Sequence, residues 1–473
     1  MPHMGPRDAP LRLDASRSDA LQRAAKLIEQ AWASFDHARP EEPPLDARVR
    51  TLLGTALPER PSGVDEVLDD AARILDESLA QPRPRYFAFI GSSGLEIGVI
   101  GDAIAAAYDV NLAVDARAAT QVERQAIRWA AEFLGYDPDA AGAFTSGGTV
   151  SNTTALAAAR ERALPGARRD GLGGRHAALY ASADAHYSVV RAGEMLGIGS
   201  ANVRAIPIDA ERRLIPEALE AAIDEDRARG VTPVAVIGTA GTTLVGAIDP
   251  LDAIADICAE RGVWFHVDGA YGLPAAAVVP ERFRGFERAD SVSVDAHKWL
   301  YLPKACGVVL VRREADLRLA FSHHEGYLHQ EAEEVNAVDT TLEYSRPFRA
   351  LKFWLAFRAH GAGEFRAAIG RNLAEARFLA DLVREHDDLE LAVDPMLSVV
   401  PFRHLPANGA DIDAHNRALS RAIVGDGRVY VASATIDDAV YQRPCFVNYR
   451  TTDDDVRALV DVVRELGTRV ARA

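Results

Sequence analysis

Between residues 140 and 311 the chain passes through seven short apolar runs: Ala143–Thr145, Ala178–Ser182, Val203–Ile208, Val234–Gly238, Val263–Asp268, Ser291–Val294 and Gly307–Val311. Amphipathic stretches such as Val150–Arg160 and Leu251–Arg261 lie between them. Strand alternating with helix is the pattern of a mostly parallel sheet covered on both faces, because parallel neighbours need a crossover and the crossover helix hides a face. Ligands of such sheets bind beyond the carboxyl ends of the strands. The residues that follow each run are therefore the first candidates for a site.

The flanking parts follow other rules. Leu21, Ala25, Ile28, Trp32 and Phe35 recur at helical spacing, as do Val64, Val67, Leu68, Ala71, Leu75 and Leu79, with Pro40, Pro43 and Pro44 breaking the chain between them. Two helices so separated do not close a core, so residues 1–84 read as an arm that packs on the same chain or on a partner. Residues 85–349 form the large domain. Its end, Arg312–Arg349, is polar and longer than an ordinary connection, and a mobile functional loop is expected at about 314–346. Residues 350–473 read as a small α+β domain. It has helices at Ala350–His360 and Gly363–Glu385 and strands at Leu397–Arg403, Val429–Ile436 and Cys445–Tyr449. A last helix starts near Asp453, with Thr452 and Asp455 spaced as a capping box.

Charge narrows the partners. Asp and Glu number 69 against 53 Lys and Arg, a formal charge of −16, which opposes binding to phosphate backbones and anionic lipid. Cys258, Cys306 and Cys445 are too few and too scattered for a disulfide framework or a cysteine zinc site, and fit a reducing compartment. No apolar run approaches the roughly 18 residues of a membrane helix, and Met1–Asp14 carries no signal-peptide core. A cytoplasmic protein without nucleic-acid or membrane partners is expected.

Four motifs stand at strand ends. Thr145-Ser146-Gly147-Gly148-Thr149 precedes a helix: glycines let backbone approach an anion, hydroxyls donate to it, and the helix start offers free N–H groups. A plain strand-to-helix turn would read the same way. His266-Val267-Asp268-Gly269-Ala270-Tyr271 stands at the end of a run apolar enough to be a central strand, where a carboxylate is costly without a cationic partner; a pyridinium nitrogen would serve, and a helix-capping Asp or a metal pair are the other readings. Asp295-Ala296-His297-Lys298-Trp299 puts a lysine after an apolar strand, where desolvation favours the free amine that Schiff-base chemistry needs. Asp184-Ala185-His186 offers an imidazole that could stack on a flat ring or simply be hydrogen-bonded in the fold.

In this order, with Tyr86-Phe87-Ala88-Phe89, Gly241-Thr242-Thr243, Asp249 and Arg349-Ala350-Leu351-Lys352, these motifs resemble the group II pyridoxal-phosphate decarboxylases over most of the chain. That family includes the aromatic-amino-acid and histidine decarboxylases. The resemblance implies a large domain of the PLP-dependent transferase class (aspartate aminotransferase, fold type I), with a mostly parallel seven-stranded sheet, an N-terminal helical arm and a small α+β C-terminal domain. It implies pyridoxal 5'-phosphate as cofactor and a homodimer with active sites at the interface. It further implies Lys298 as the Schiff-base lysine, Asp268 on the ring nitrogen, and His186 stacked on the ring. Gly148, Thr149 and His297 would lie at the phosphate, and Thr243 near cofactor and substrate carboxylate. Tyr327, in Gly326-Tyr327-Leu328, resembles the tyrosine of the family's catalytic loop; phenylalanine there accompanies aldehyde formation. His323, His324 and His329 beside it read as solvated, and no metal is expected.

The substrate pocket follows the family less closely. Phe89 and Ser92 stand where aromatic decarboxylases carry an aromatic-proline-threonine stretch, and Arg117 stands where proline is common. Trp299 leans toward aromatic side chains, which makes decarboxylation of an aromatic L-amino acid to amine and carbon dioxide the leading expectation; diamino acids stay open. The same residues would also serve an aminotransferase or other lyase, an aldehyde synthase, or a PLP-binding regulator without catalysis.

Overall fold

A computed structural model describes residues 13, 16–39, 46–323, 337–407 and 409–472. All seven expected runs are strands: β1 (Ala141–Thr145), β2 (Ala177–Ser182), β3 (Val203–Ile206), β4 (Thr232–Thr239), β5 (Trp264–Asp268), β6 (Ser291–Asp295) and β7 (Gly307–Val311). They form one sheet in the order β1-β7-β6-β5-β4-β2-β3. It is parallel throughout except for β7, which runs against both β1 and β6. Every residue of β2, β5, β6 and β7 is buried, because helices cover both faces and leave no side of these strands to water. That is why β2 and β7 read as near-continuous apolar runs; β6, Ser-Val-Ser-Val-Asp, alternates although both of its faces are buried.

Three helices precede the sheet region in the arm: α1 (Arg17–Phe35), α2 (Ala47–Leu53) and α3 (Val64–Asp76). The helix α2 was not expected; the side chain of Asp46 caps it by accepting from the Val49 N–H. No residue of α3 is buried, although its apolar positions fall on one face. Then come α4 (Glu96–Tyr108), α5 (Ala118–Leu134), which ends on left-handed Gly135, and α6 (Gly148–Ala163). Ten residues of α6 are buried, from Ser151 through Ala159 and again at Glu161, so this helix lies inside the domain against β6, β7 and its neighbouring helices. Its alanines permit that close approach.

Residues 312–349 do not form one long loop. Glu314–Phe321 is a helix with Leu317 and Ala320 in the core, and a short turn at Ala337–Asp339 follows after the intervening segment. Asp339 accepts from Ser322, and Arg346 is buried in a two-bond pair with Glu123 of α5 at 2.5 and 2.6 Å. The polar look of this segment thus comes partly from side chains that pair internally.

Ala350–Arg384 is continuous except at Gly361, whose left-handed backbone (φ 75°) falls between the two expected helices. Beyond it lies a second sheet, β8 (Leu389–Leu391), β9 (Phe402–His404), β10 (Ser433–Ile436) and β11 (Ala439–Gln442), antiparallel in the order β10-β11-β9-β8. The expected strand at Leu397–Arg403 shrinks to its end, that at Val429–Ile436 to its second half, and Cys445–Tyr449 makes only the bridge Val399↔Cys445. Pro401 and Pro444 have no N–H to give a ladder. The missed β11 pairs through a tight turn at Asp437 and Asp438, both left-handed. Helices Ile412–Asp426 and Asp453–Arg472 cover this sheet, the latter capped as expected by Thr452 and Asp455.

Replacing Glu123 by Gln would leave the Arg346 guanidinium buried without a counter-charge. Urea unfolding of Glu123→Gln should show a loss of about 3 kcal/mol, and the double variant Glu123→Leu/Arg346→Met should recover most of it. Equal stability of Glu123→Gln and the parent would show that the pair does not hold the 337–349 segment on α5.

Candidate active site

Five strand ends meet at a cavity of about 310 Å³. At one side β1 passes into α6 through Thr145–Gly148, and Gly147, Gly148, Thr149 and Val150 line the space. The first N–H groups of a helix have no intrahelical acceptor, so this end suits an anion. Two glycines make the passage possible. A Cβ on Gly148 would stand 3.0 Å from the Ala270 Cβ and 3.1 Å from Asp295 Oδ2, and one on Gly307 would stand 2.5 Å from Thr145 Oγ1.

Asp268 ends β5, buried, and all of its donors are neutral. Asn152 Nδ2 donates to Oδ2 at 2.8 Å, and the Ala270 N–H and Ser293 Oγ–H reach Oδ1 at 3.2 and 3.4 Å. Because a carboxylate only accepts, the Asn152 amide has a single orientation. The same Nδ2 donates to Ser188 Oγ at 3.1 Å, while Oδ1 accepts from Ser293 Oγ at 2.6 Å and from His266 Nε2 at 3.1 Å. His266 therefore carries its proton on Nε2, and its Nδ1 accepts from Ser291 Oγ at 2.9 Å. Ser188 passes the order on to His186: its hydroxyl lies 2.9 Å and its N–H 3.3 Å from His186 Nδ1, which leaves the His186 proton on Nε2. Burial pushes both imidazoles to lower pKa, against the pull of Asp268, so both stay neutral near pH 7.

Lys298 follows β6. Its Nζ lies 3.0 Å from Asp295 Oδ2, and His297 Nε2 lies 3.8 Å from the same oxygen. Asp295 Oδ1 is buried with no protein partner. Burial also lowers the pKa of His297, whose Nδ1 sits against the Cys306 backbone. Thr243 reaches the cavity after β4 on a segment that starts at left-handed Gly241.

The cavity thus brings together Gly148, Thr149, His186, Thr243, Asp268, His297 and Lys298. Phe89 and Ser92 are not in its lining: Phe89 is 55% exposed, and buried Ser92 donates to the Leu302 carbonyl. Tyr327 lies outside the described residues. Trp299 does not face a substrate. It is fully buried, stacked 5.3 Å behind Tyr271 and donating to Asn372 Oδ1, so it supports the wall instead of forming it. Sequence reasoning missed Asn152, Ser188 and Tyr271 as lining residues; the signal for Asn152 was a polar run, Ser151–Thr154, heading an alanine-rich helix that is buried all round.

The family profile described as the pyridoxal-dependent decarboxylase conserved domain matches residues 46–405. The chain belongs to the pyridoxal-dependent decarboxylases. It is 31% identical over 476 residues to the aromatic-L-amino-acid decarboxylase of Bacillus atrophaeus, covering 97% of this chain and 98% of the relative. It is 36% identical over 364 residues to the L-2,4-diaminobutyrate decarboxylase of Rhizobium meliloti, covering 75% and 72%. The crystal structure of Oryza sativa TDC with PLP and tryptamine superposes with a TM-score of 0.90 at 27% identity, over 98% of this chain and 99% of that one. This pyridoxal-dependent decarboxylase is accordingly a carboxy-lyase of fold type I that uses pyridoxal 5'-phosphate. Its cavity fits that cofactor: a glycine cradle at a helix start for the phosphate, and a buried carboxylate that lacks a cation for the pyridinium.

Three neutral buried histidines give the decarboxylase a signed pH response. In the unfolded chain each titrates near 6.5, while His186, His266 and His297 titrate lower in the fold. Below about pH 6.5 the unfolded state binds more protons, so stability falls on acidification and is fully present above it. Urea midpoints at pH 7.5, 6.5 and 5.5 should decrease in that order, and His266→Asn should flatten the slope; a slope unchanged by His266→Asn would mean that the imidazole titrates normally in the fold.

Proposed function

We propose that this cavity decarboxylates an aromatic L-amino acid to its amine and carbon dioxide, with Lys298 holding the cofactor. The observation that carries the reading is a lysine amine and a buried carboxylate with only neutral donors at the ends of adjacent strands in one cavity. When bound, pyridoxal phosphate supplies an electron-poor ring that accepts the electron pair left by a departing carboxylate. The chain's own residues set the conditions. Asp268, fixed by Asn152, would keep a proton on the ring nitrogen. His186, neutral with Nδ1 engaged, would lie against the ring without opposing its charge. Lys298 must be a free amine to bond a carbonyl carbon, and Asp295 Oδ2 at 3.0 Å is the acceptor for the proton it gives up. Gly148, Thr149 and His297 would hold the phosphate, and Thr243 the substrate carboxylate. Phe89, exposed on this chain, remains a proposed substrate contact in the assembled enzyme; Ser92, buried and bound to the Leu302 carbonyl, does not.

Borohydride reduction of the holoenzyme followed by peptide mapping should find the pyridoxyl group on Lys298. A label on exposed Lys304, or on Lys352, whose amine is bound to Asp102 at 2.9 Å, would overturn the assignment.

The aromatic preference is supported by the relative that matches at full length on both sides. A short diamino acid is the second reading. It is favoured by the more identical but shorter match and by a lining rich in hydroxyls, with Tyr271 the only six-membered aromatic ring among the described lining residues. A panel of L-amino acids with carbon dioxide and amine detection separates the two. Turnover of 2,4-diaminobutyrate above that of tryptophan, tyrosine and phenylalanine would favour the second.

We further propose a homodimer working in the cytoplasm. Its three cysteines are free and buried, and among the described residues no helix is long and apolar enough to cross a membrane. Leu21 of α1, Val67 and Leu75 of α3, and Leu79 after it expose apolar side chains, Leu75 at 68%. Burying such a face on a partner is favourable at about 25 cal/mol per Å². Sedimentation of the loaded enzyme at micromolar concentration should give twice the 51.0 kDa chain mass. An active monomer would contradict it.

A further inference from the structure

Arg212 has an unusual backbone and unusual company. It sits in the turn between the bridged residues Ile208 and Leu214, left-handed at φ 62°, a conformation that disfavours any side chain with a Cβ. Yet the residue is only 8% exposed. Its guanidinium makes a two-bond fork to Asp184, Nε to Oδ2 at 2.7 Å and Nη2 to Oδ1 at 2.9 Å. The remaining arm, Nη1, donates to Asp437 Oδ1 at 2.7 Å. Asp184 stands two residues before His186, on the segment that leaves β2 and also carries Ser188. Asp437 belongs to the turn joining β10 and β11.

We propose that Arg212 is a positioning residue for His186: its fork on Asp184 fixes the segment that carries the imidazole, and its third bond makes that fixation depend on the seating of the C-terminal sheet. A planar fork holds a carboxylate in one orientation as well as one place, which a single ammonium could not do. The segment 183–188 is also held by the Ala183 N–H to the Ile206 carbonyl, by the Asp184 and Ala185 N–H groups back to Ser182, and by Asn152 on Ser188 at the start of the helix Ser188–Met195. The fork is what ties its Asp184 side chain to the neighbouring turn. The C-terminal sheet reaches the cavity a second time beside it, where Arg443, just past β11, donates to the Thr243 carbonyl at 2.8 Å. The two ends of β11 therefore bear on two lining segments, and Arg212 is the link that runs to the imidazole. The inference rests on the reading of His186 as the residue lying against the cofactor ring.

Arg212→Gly tests it without backbone cost, because glycine accepts the left-handed turn. In the holoenzyme the variant should lower kcat about tenfold with KM changed less than about threefold, and should reduce the visible circular dichroism of the bound cofactor. His186→Ala should lower both signals, and adding Arg212→Gly to it should cost nothing further, since both act on one group. Asp437→Asn, at a side chain 82% exposed and so without risk to folding, should produce a smaller loss in the same direction. Wild-type dichroism and kcat in Arg212→Gly, or losses that add in the double variant, would overturn the proposal while leaving the function intact. Wild-type behaviour of Asp437→Asn would remove the dependence on the C-terminal sheet. If His186→Ala itself behaved as wild type, the reading of His186 would fail and this inference with it.

Discussion

The Asp268 carboxylate lies at the end of a strand buried on both faces, and among the described residues no ion pair neutralises it. A charge in that position costs several kcal/mol unless it is hydrogen-bonded or paired. Much of the local sequence answers that requirement. The amide of Asn152 must come within 2.8 Å, so α6 has to start close to β5, and Gly148 supplies the clearance. Ser293 on β6 and Ser291 beside it are polar residues in a fully buried strand because Asn152 and His266 need partners. This network of neutral dipoles is what lets the chain fold around a buried carboxylate before any cation meets it.

The sheet was readable because most of its inner strands have no solvent face; the apolar run at Val234–Gly238 admits no other simple placement, whereas Ser291–Val294 alternates and was placed by its neighbours. Lys298, Asp268 and His186 were readable because ligands of such sheets sit past strand ends. Asn152 was not, since its partners Asp268 and Ser293 lie 116 and 141 residues away and nothing in its own neighbourhood names them. Trp299 misled for a related reason: adjacency to Lys298 in sequence says nothing about side, and its ring turns inward to Asn372. The small sheet was the least legible part. Strands of three and four residues leave too short a pattern to set their ends, and Pro401 interrupts the run Leu397–Arg403.

The two sheets are joined by more than the long helix Ala350–Arg384. Tyr271 of the cavity wall exchanges a hydrogen bond with Ser398 Oγ at 2.6 Å and accepts from the Ser398 N–H at 3.0 Å. Leu397 packs where a Cβ on Gly241 or Gly272 would need to be. Buried Lys352 of the long helix binds Asp102 of α4 at 2.9 Å. The walls at β4 and β5 are therefore shaped from behind by the C-terminal region, and changes there should be felt in the cavity rather than in the small sheet alone.

One amide also orders the hydrogen bonds of two groups that the proposed function sets against the same ring. Asn152 gives both of its N–H bonds away, one to Asp268 and one to Ser188. The first holds the Asp268 carboxyl group in the place from which it would meet a ring N–H. The second occupies a lone pair of Ser188 and frees its hydroxyl proton for His186 Nδ1. With Nδ1 taken and burial opposing a positive charge, His186 remains a neutral ring. An imidazolium there would repel a protonated pyridine. That repulsion is avoided, and Asp268 is held in place, by a single side chain on α6, which requires the start of that helix to be set closely against the strand ends.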